Sequence, residues 1–326
     1  NQDFNSSVSY SKTFRGTPFN LSMSGRLQQN VNTNIINLLL PEMALNMNRL
    51  YPFKKLGKST SNNPIKKISF SWNMNGTNKI SNAPLRSPGF NVVGFDPNDQ
   101  DTLRLGEGDL GALLSRAQNG VRHAIPLSTS MSLFKYISLN PSFSYEELWY
   151  FKELKYEWME SENAVKIDTL EGFSRAYSYN GSVSLNTRLY GIKYFKSEKI
   201  QAIRHVVQAS TGMSFRPDFS DDKYGYYQEV QIDSMGNTRR LSKYQNFVYG
   251  TPSAGESASA FFNITNNFEM KVKTKKDTTD EPRKVILLDN LSFSSSYNFL
   301  ADSFNLAPIR ISGRTRLFRK KLNINF

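Results

Sequence analysis

The stretch Tyr177-Ser178-Tyr179-Asn180-Gly181-Ser182-Val183-Ser184-Leu185 alternates apolar and small polar residues almost one for one. Phe19–Ser24 and Ile68–Met74 repeat this alternation. Successive side chains of a β-strand point to opposite faces, so each stretch predicts a strand with one apolar and one polar face. A strand that crosses a bilayer needs about 9–11 such residues. The pattern therefore favours a transmembrane β-barrel whose small, uncharged polar residues line the lumen.

The composition narrows the alternatives. With no cysteine in 326 residues, disulfides, thiolate metal sites and cysteine nucleophiles are excluded. The longest largely apolar run, Ile35 to Leu40, is far shorter than the about 20 residues of a membrane helix and is stopped by Pro41. The net charge of +13 favours anionic partners such as phosphorylated lipids, although charged clusters are also typical of solvated turns. The polar start, Asn1 to Phe4, has no signal-peptide core, so we expect a processed protein or an excerpt from a longer one.

The alternating segments divide the chain into about thirteen strand candidates joined as hairpins. We interpret residues 1–326 as a single all-β region, an antiparallel transmembrane β-barrel or a large curved segment of one, with about 12–14 strands. The third strand candidate begins only at Met43. The segment 76–120 is predicted as a long loop or an inward-folded segment with a short helix at 109–116, and the charged stretch 157–171 as an excursion between strands. Short and long connections alternate, as periplasmic turns and external loops do in outer-membrane barrels.

Aromatic residues gather near the predicted strand ends, for example in Trp149-Tyr150-Phe151 and Tyr224-Gly225-Tyr226-Tyr227. Their positions favour the aromatic girdles of a membrane barrel over simple strand propensity. Pro126 and Pro141 fall inside two consecutive strand candidates. Because proline donates no ladder hydrogen bond, the two residues indicate either local bulges or a weakened seam, a gate that opens laterally.

No catalytic site emerges from the sequence. The two histidines follow arginines, in Arg122-His123 and Arg204-His205, each at the start of a strand candidate where Arg and His project to opposite sides. We expect these four residues to anchor strand ends or to contact lipid phosphates. Neither histidine has a recognisable nucleophile or orienting partner, and no phosphate-binding glycine loop or complete EF-hand is present. The chain is therefore predicted not to be an enzyme and to need no cofactor or metal.

Three serines of the alternating runs, Ser184, Ser210 and Ser294, are predicted to face the lumen. They serve as markers of the polar side of their strands.

Several stretches, spread in consistent order over most of the chain, carry a family resemblance. They are Leu38–Pro41 with Asn48–Phe53, Gly120–Ser130, Leu139–Tyr145, Ala202–Val206, Ser214–Phe219, Leu288–Ser292, and Ser296–Phe299 with Ala301–Ser303. They resemble the LptD family of lipopolysaccharide-assembly barrels, in the form found in Bacteroidota. The chain departs from the family in lacking its periplasmic jellyroll domain and in having fewer strands than its full barrel, so the ends of this chain need not be the gate strands.

The resemblance implies a barrel in the outer membrane of a Gram-negative cell. Such a barrel receives lipopolysaccharide from a periplasmic bridge and delivers it to the outer leaflet through a gap between its first and last strands. The implied partners are lipopolysaccharide, an LptE-like plug lipoprotein in the lumen, the periplasmic bridge proteins and the lipids of the outer membrane. Nucleic acid is not among them.

Other classes of function stay open. A porin, a TonB-dependent receptor or a protein-secretion pore would have a similar fold and composition. A soluble β-rich protein that binds glycans or nucleic acid is compatible with the charge and with 13% aromatic residues. A barrel enzyme would require His123 or His205 to meet a serine and an aspartate. Solubility without detergent would exclude the barrel.

Overall fold

Antiparallel β-strands make up most of the chain in the computed structural model. The structure describes residues 3–55, 63–83, 88–94, 111, 117–197, 199–273, 283–317 and 322–326. The strands are β1 (Asp3–Thr13), β2 (Phe19–Asn30), β3 (Ile35–Leu50), β4 (Ser69–Ser81), β5 (Gln118–Ser128), β6 (Met131–Leu133), β7 (Ile137–Met159), β8 (Ala164–Tyr194), β9 (Ile200–Arg216), β10 (Tyr227–Gln231), β11 (Thr238–Ser242), β12 (Ser257–Val272), β13 (Arg283–Asn298), β14 (Arg310–Leu317) and β15 (Leu322–Asn325). A 3₁₀-helix, Pro64–Lys67, precedes β4.

Thirteen of these strands form one antiparallel sheet, which confirms the predicted all-β fold and its strand number. Their order follows the chain, β1-β2-β3-β4-β5-β7-β8-β9-β12-β13-β14-β15, with β6 paired to β7, while β10 and β11 form a separate hairpin. Within the described residues the sheet does not close, because β1 and β15 each pair with a single neighbour. The architecture therefore fits a segment of a barrel. No helix in the described ranges is long and apolar enough to cross a membrane.

The one-residue alternation sorts the side chains onto two faces. Across six neighbouring strands, residues in register form a polar row: Ser138, Asn186, Ser210, Asn263, Ser294 and Arg310. The positions directly beside them form a mainly apolar row: Ile137, Thr187, Ala209, Ile264, Phe293 and Ile311. We call the corresponding sides of the sheet the polar face and the apolar face. A slip of one residue would exchange them, so the alternation fixes the register.

The connections divide between two rims of the sheet. The longest, 82–117 and 217–256, lie at the same rim, which we call the loop rim. The opposite rim, the turn rim, holds the tight connections 14–18, 134–136 and 195–199. Lys135 in one of these turns has a left-handed backbone, with φ of 66°. The two longest connections thus share one rim, but the short turns 31–34 and 160–163 also lie at the loop rim and the longer connection 51–68 lies at the turn rim, so the predicted alternation is confirmed only in part.

Two strands extend well beyond their neighbours at the loop rim. β7 has 23 residues and β8 has 31, and their ladder continues to the pair Met159 and Ala164. The prediction that 157–171 is an excursion between strands was therefore wrong. Its charged residues lie on a hairpin that rises above the rest of the sheet, where charged side chains can remain in water.

The connection between β4 and β5 is shorter than the predicted segment 76–120. Strand residues occupy 76–81 and 118–120, which leaves 82–117. Val165 of β8 donates to Asn91 O at 2.8 Å and accepts from Val93 N at 3.0 Å, so the described part, 88–94, lies against the tall hairpin. Apart from residue 111, the predicted helix at 109–116 lies outside the described residues.

Candidate functional site

The three serines predicted to face the lumen share the polar face. Ser210 and Ser294 belong to the polar row, and Ser184 lies in the next row on the same side. Close by, Ser292 Oγ donates to Asn263 Oδ1 at 2.8 Å. Hydroxyl and amide groups of this kind offer hydrogen bonds to water or to sugars without a fixed charge. That this face lines a lumen stays a prediction.

Ion pairs between neighbouring strands cross the polar face. They are Arg26–Glu42 at 2.9 Å, Arg122–Glu146, Arg204–Glu269, Lys284–Glu269 at 2.6 Å and Arg316–Asp289 at 2.6 Å. In each pair the base is more exposed than the acid. Arg310 and Arg314 of β14 add positive charge, and neither forms an ion pair with another described residue. The polar face therefore presents cations to whatever lies in front of it.

The first Arg-His dipeptide divides between the faces as predicted. Arg122 lies on the polar face, where its Nε donates to Glu146 Oε2 at 2.8 Å. His123 lies on the apolar face, with ring centroids 4.2 Å from Trp149 and 5.7 Å from Trp72. His123 is buried, and its Nε2 has no hydrogen-bond partner among the described residues. This dipeptide lies near the loop rim.

The second dipeptide repeats the arrangement near the turn rim. Arg204 pairs with Glu269 on the polar face. His205 lies on the apolar face, stacked on Phe268 with ring centroids 4.1 Å apart, and its Nε2 is 3.0 Å from Asn266 Oδ1. Both histidines thus pack against aromatic rings close to a strand end. Contact of these four residues with lipid phosphates stays a prediction.

The β5–β7 and β7–β8 ladders are continuous at the two prolines, and the register shift of β7–β8 falls farther along, between Tyr150 and Lys152. Pro126 pairs within β5–β7 and Pro141 within β7–β8. The interruption is on the other side of β5, where the β4–β5 ladder stops at Phe70 and resumes at Asn73, opposite Pro126. A proline lacks the N–H that this ladder needs. Any seam caused by Pro126 therefore lies between β4 and β5, and its role as a gate stays a prediction.

A charged pair on the apolar face was not predicted. Glu147 accepts hydrogen bonds from the Tyr145 hydroxyl and, at 2.6 Å, from Trp149 Nε1. Arg175 Nη1 lies 3.9 Å from Glu147 Oε1, and the two side chains are 56% and 16% exposed. A carboxylate among apolar residues needs such donors to remain charged. The only signal in the sequence is that Glu147 breaks the alternation of β7.

A tyrosine-rich segment of the loop 217–256 folds back over the polar face near the loop rim. We call this segment, 219–249, the tyrosine cover. Tyr150 of β7 is fully buried beneath it, and its hydroxyl donates to Gly250 O at 2.7 Å. Its ring lies 5.0 Å from Tyr244 and 5.1 Å from Phe247, measured between centroids. Tyr249 carries the cover as far as β4, since its hydroxyl donates to Asn75 O at 2.8 Å.

Tyr226 attaches the cover to the free edge of β8. Its hydroxyl accepts from Tyr177 N at 2.8 Å and donates to Tyr177 O at 3.2 Å. Burial raises the pKa of Tyr226 to about 12, so the hydroxyl keeps its proton at neutral pH. The prediction of an interfacial girdle was wrong for Tyr150 and Tyr226, because the long loop buries both rings.

Asp218 joins the two ends of the loop. Its Oδ1 accepts from Ser220 Oγ and Ser220 N at 2.7 Å and from Gly255 N at 2.8 Å. The hydrogen bond from the Ser220 hydroxyl, followed by those from the two backbone amides, holds the pKa of Asp218 below its usual value. The loop therefore closes on a charged carboxylate.

The architecture and the two-faced pattern agree with a comparison with known families. The family model described as LptD protein matches residues 1–326, the whole chain. This chain belongs to the LptD protein family. No curated protein matches it. The resemblance deduced from the sequence is thereby confirmed at the level of the family.

Membership in the LptD family indicates which ligand is relevant to the polar face of this chain. The family consists of outer-membrane transport proteins with a role in lipopolysaccharide transport, and lipopolysaccharide is its substrate. The all-β sheet fits the barrel of such a protein. In the described part of the chain, no group of three or more His, Cys, Asp or Glu side chains is arranged to hold a metal ion.

Proposed function

We propose that this chain moves lipopolysaccharide to the outer leaflet of the outer membrane through a laterally opening barrel. The observation that supports it is the pair of adjacent rows, polar and apolar, that runs through six neighbouring strands. The polar face lines the lumen and takes the sugars of the lipid. The apolar face meets the acyl chains of the bilayer. The loop rim is external and the turn rim is periplasmic, in keeping with the loop lengths of such barrels.

Electrostatics supports this cargo. Lipopolysaccharide carries phosphates, and charge-assisted hydrogen bonds to phosphate are among the strongest that side chains make. The bases of the polar face are more exposed than their acid partners, and Arg310 and Arg314 are unpaired within the described residues. A headgroup in the lumen therefore meets positive charge along its path. Transport of this kind makes and breaks no covalent bond, so the chain acts without catalysis.

Lateral opening follows from the chemistry of the cargo. Acyl chains are excluded from a face of hydroxyl and amide groups, so they have to leave between two strands. The interruption of the β4–β5 ladder opposite Pro126 supports a weak seam at that position. An LptE-like plug lipoprotein occupies the lumen, and the periplasmic bridge proteins deliver the lipid at the turn rim.

The test is photocrosslinking in living cells, with the full-length protein. Each variant carries a crosslinker in place of one residue. The residues form three matched pairs, each with one member on the polar face and its neighbour on the apolar face: Ser184 and Leu185, Ser210 and Ala209, Ser294 and Phe293. The proposal expects lipopolysaccharide adducts at the serines that disappear when export is stopped. Adducts on the apolar face form with resident lipid and persist. Serine adducts that persist without export, or that never contain lipopolysaccharide, would refute the transport path.

A further inference from the structure

A groove of about 440 Å³ lies on the polar face between β7, β8, β9 and β12, beside the turn between β6 and β7 and near the middle of β9 and β12. Its floor consists of two adjacent rows of residues in register. One row contains Ser138, Asn186, Ser210 and Asn263, and the other contains Arg188, Gln208 and Thr265. Hydroxyl and carboxamide groups both donate and accept hydrogen bonds, as the hydroxyls of a sugar do. The floor therefore matches the chemistry of a saccharide and offers little to an acyl chain.

Arg188 supplies a cation that is held in position. In the amide orientation that satisfies its hydrogen bonds, the side-chain oxygen of Gln208 accepts from Arg188 Nη2 at 2.5 Å and from Arg188 Nε at 3.1 Å. The remaining N–H groups of this exposed guanidinium point to no other described residue. A guanidinium oriented by one partner is suited to bind phosphate through two parallel hydrogen bonds.

Lys135 supplies a second cation from the turn between β6 and β7. Thr187 Oγ1 donates to Tyr136 O at 2.9 Å, which ties this turn to β8. No acidic side chain lines the groove, and neither Lys135 nor Arg188 forms an ion pair in the part of the chain that the structure describes. Five other bases of the polar face each have an acid beside them, whereas Lys135 and Arg188 do not, so the groove is a region of uncompensated positive charge.

We infer that this groove binds a phosphorylated sugar, with Arg188 and Lys135 as the phosphate ligands and the rows of hydroxyls and amides as the sugar ligands. The volume of the groove lies in the range of about 300–1,000 Å³ that is typical of small-molecule binding sites. The inference rests on the proposed function in one respect: the sugar is the phosphorylated end of the transported lipid. The groove then acts as a resting place of the headgroup on its way through the lumen.

The test measures binding of N-acetylglucosamine 1-phosphate and of uncharged N-acetylglucosamine to the purified full-length protein in detergent. Replacing both cations, Lys135→Gln with Arg188→Gln, weakens the phosphorylated probe by about tenfold or more and leaves the neutral probe nearly unchanged. Arg188→Lys has an intermediate effect, because lysine keeps the charge and loses the two-pronged geometry. Lys193→Gln is the matched control, since Lys193 lies on the same strand but on the apolar face, in register with Ile203.

Two outcomes would overturn the inference: equal affinity for the two probes in the wild type, or unchanged affinity for the phosphorylated probe in the double variant. Lys135→Gln alone, at an exposed turn, gives a second reading should the double variant fold poorly. Ser294 lies outside the groove and separates the two claims. Lipopolysaccharide adducts at Ser294 with an unaltered groove affinity would refute the groove and keep the transport function. Loss of affinity for the phosphorylated probe in the variants, without lipopolysaccharide adducts at Ser294, would refute the transport function and keep the groove.

Discussion

Tyr150 holds the tyrosine cover on the sheet, and its removal should loosen that cover specifically. The side chain is 0% exposed, its hydroxyl bonds Gly250 O at 2.7 Å, and its ring packs against Tyr244 and Phe247. Deleting a buried aromatic side chain costs about 3–5 kcal/mol. Tyr150→Phe removes only the hydrogen bond, for about 0.5–1.5 kcal/mol.

Hydrogen exchange of the backbone amides in 217–256 measures this loss directly in the full-length protein. If the cover opens as a unit, Tyr150→Ala increases its open population by roughly 10²- to 4 × 10³-fold, and Tyr150→Phe by roughly 2- to 10-fold. The strands below, such as β8 and β9, keep their protection. The order of the two variants follows from the number of contacts that each removes.

Phe151→Ala is the matched control, because Phe151 is the next residue along β7 and is 47% exposed. It should leave exchange in 217–256 within about twofold of the wild type. Unchanged exchange in Tyr150→Ala would refute the assignment of Tyr150 as the anchor of the cover. Faster exchange throughout the sheet would show instead that Tyr150 stabilises the whole sheet.

Three further predictions follow from single contacts. The pKa of Asp218 is lowered in the folded loop, so its carboxylate stabilises the loop above the unfolded pKa of about 3.9, and this stabilisation is lost as the pH falls through the folded pKa. When proteolysis of the loop is followed from about pH 7 down to about pH 2, cleavage should become faster at the acid end in the wild type, and Asp218→Asn should show no such step. Arg316→Gln should lower the free energy of unfolding by about 1–3 kcal/mol, because Asp289 is only 12% exposed and loses a two-pronged partner; in denaturant titrations the double variant with Asp289→Asn should recover part of that loss. Gly212→Ala should destabilise the barrel by about 1–3 kcal/mol, since a Cβ there would lie 2.6 Å from the Phe261 ring, whereas Gly181→Ala, with open space around it, should be nearly neutral in the same titration.

The two-faced sheet was predictable because strand pleating gives side chains a period of two residues, and small polar residues follow that period in β8 and β9. The bounds of β3 were not predictable in this way. That strand begins at Ile35 and runs through Pro41, although the prediction began it at Met43. The β3–β4 ladder shifts register between Leu39 and Glu42, so Pro41 falls where no ladder donor is required. A proline therefore marked a bulge within the strand and not its start.

The candidate sites likewise combine features that the local sequence predicts with features that only long-range contacts determine. The opposite faces of Arg122 and His123 follow from adjacency in a strand, which the sequence contains. The burial of Tyr150 depends on a loop residue 100 positions away, Gly250, and no local pattern announces that contact. Lys135 and Arg188 meet at one groove only because the β7–β8 ladder pairs Ser138 with Asn186. Long-range register, not composition, brings such groups together.

The most direct test of lipopolysaccharide transport by this chain is the arrival of newly made lipopolysaccharide at the cell surface after the full-length protein is depleted. Surface delivery is expected to fall as the protein disappears, the lipid to accumulate on the inner side of the outer membrane, and uptake of small hydrophilic solutes to stay unchanged. Normal delivery of lipopolysaccharide together with a loss of solute uptake would contradict this expectation and would identify the chain as a diffusion channel.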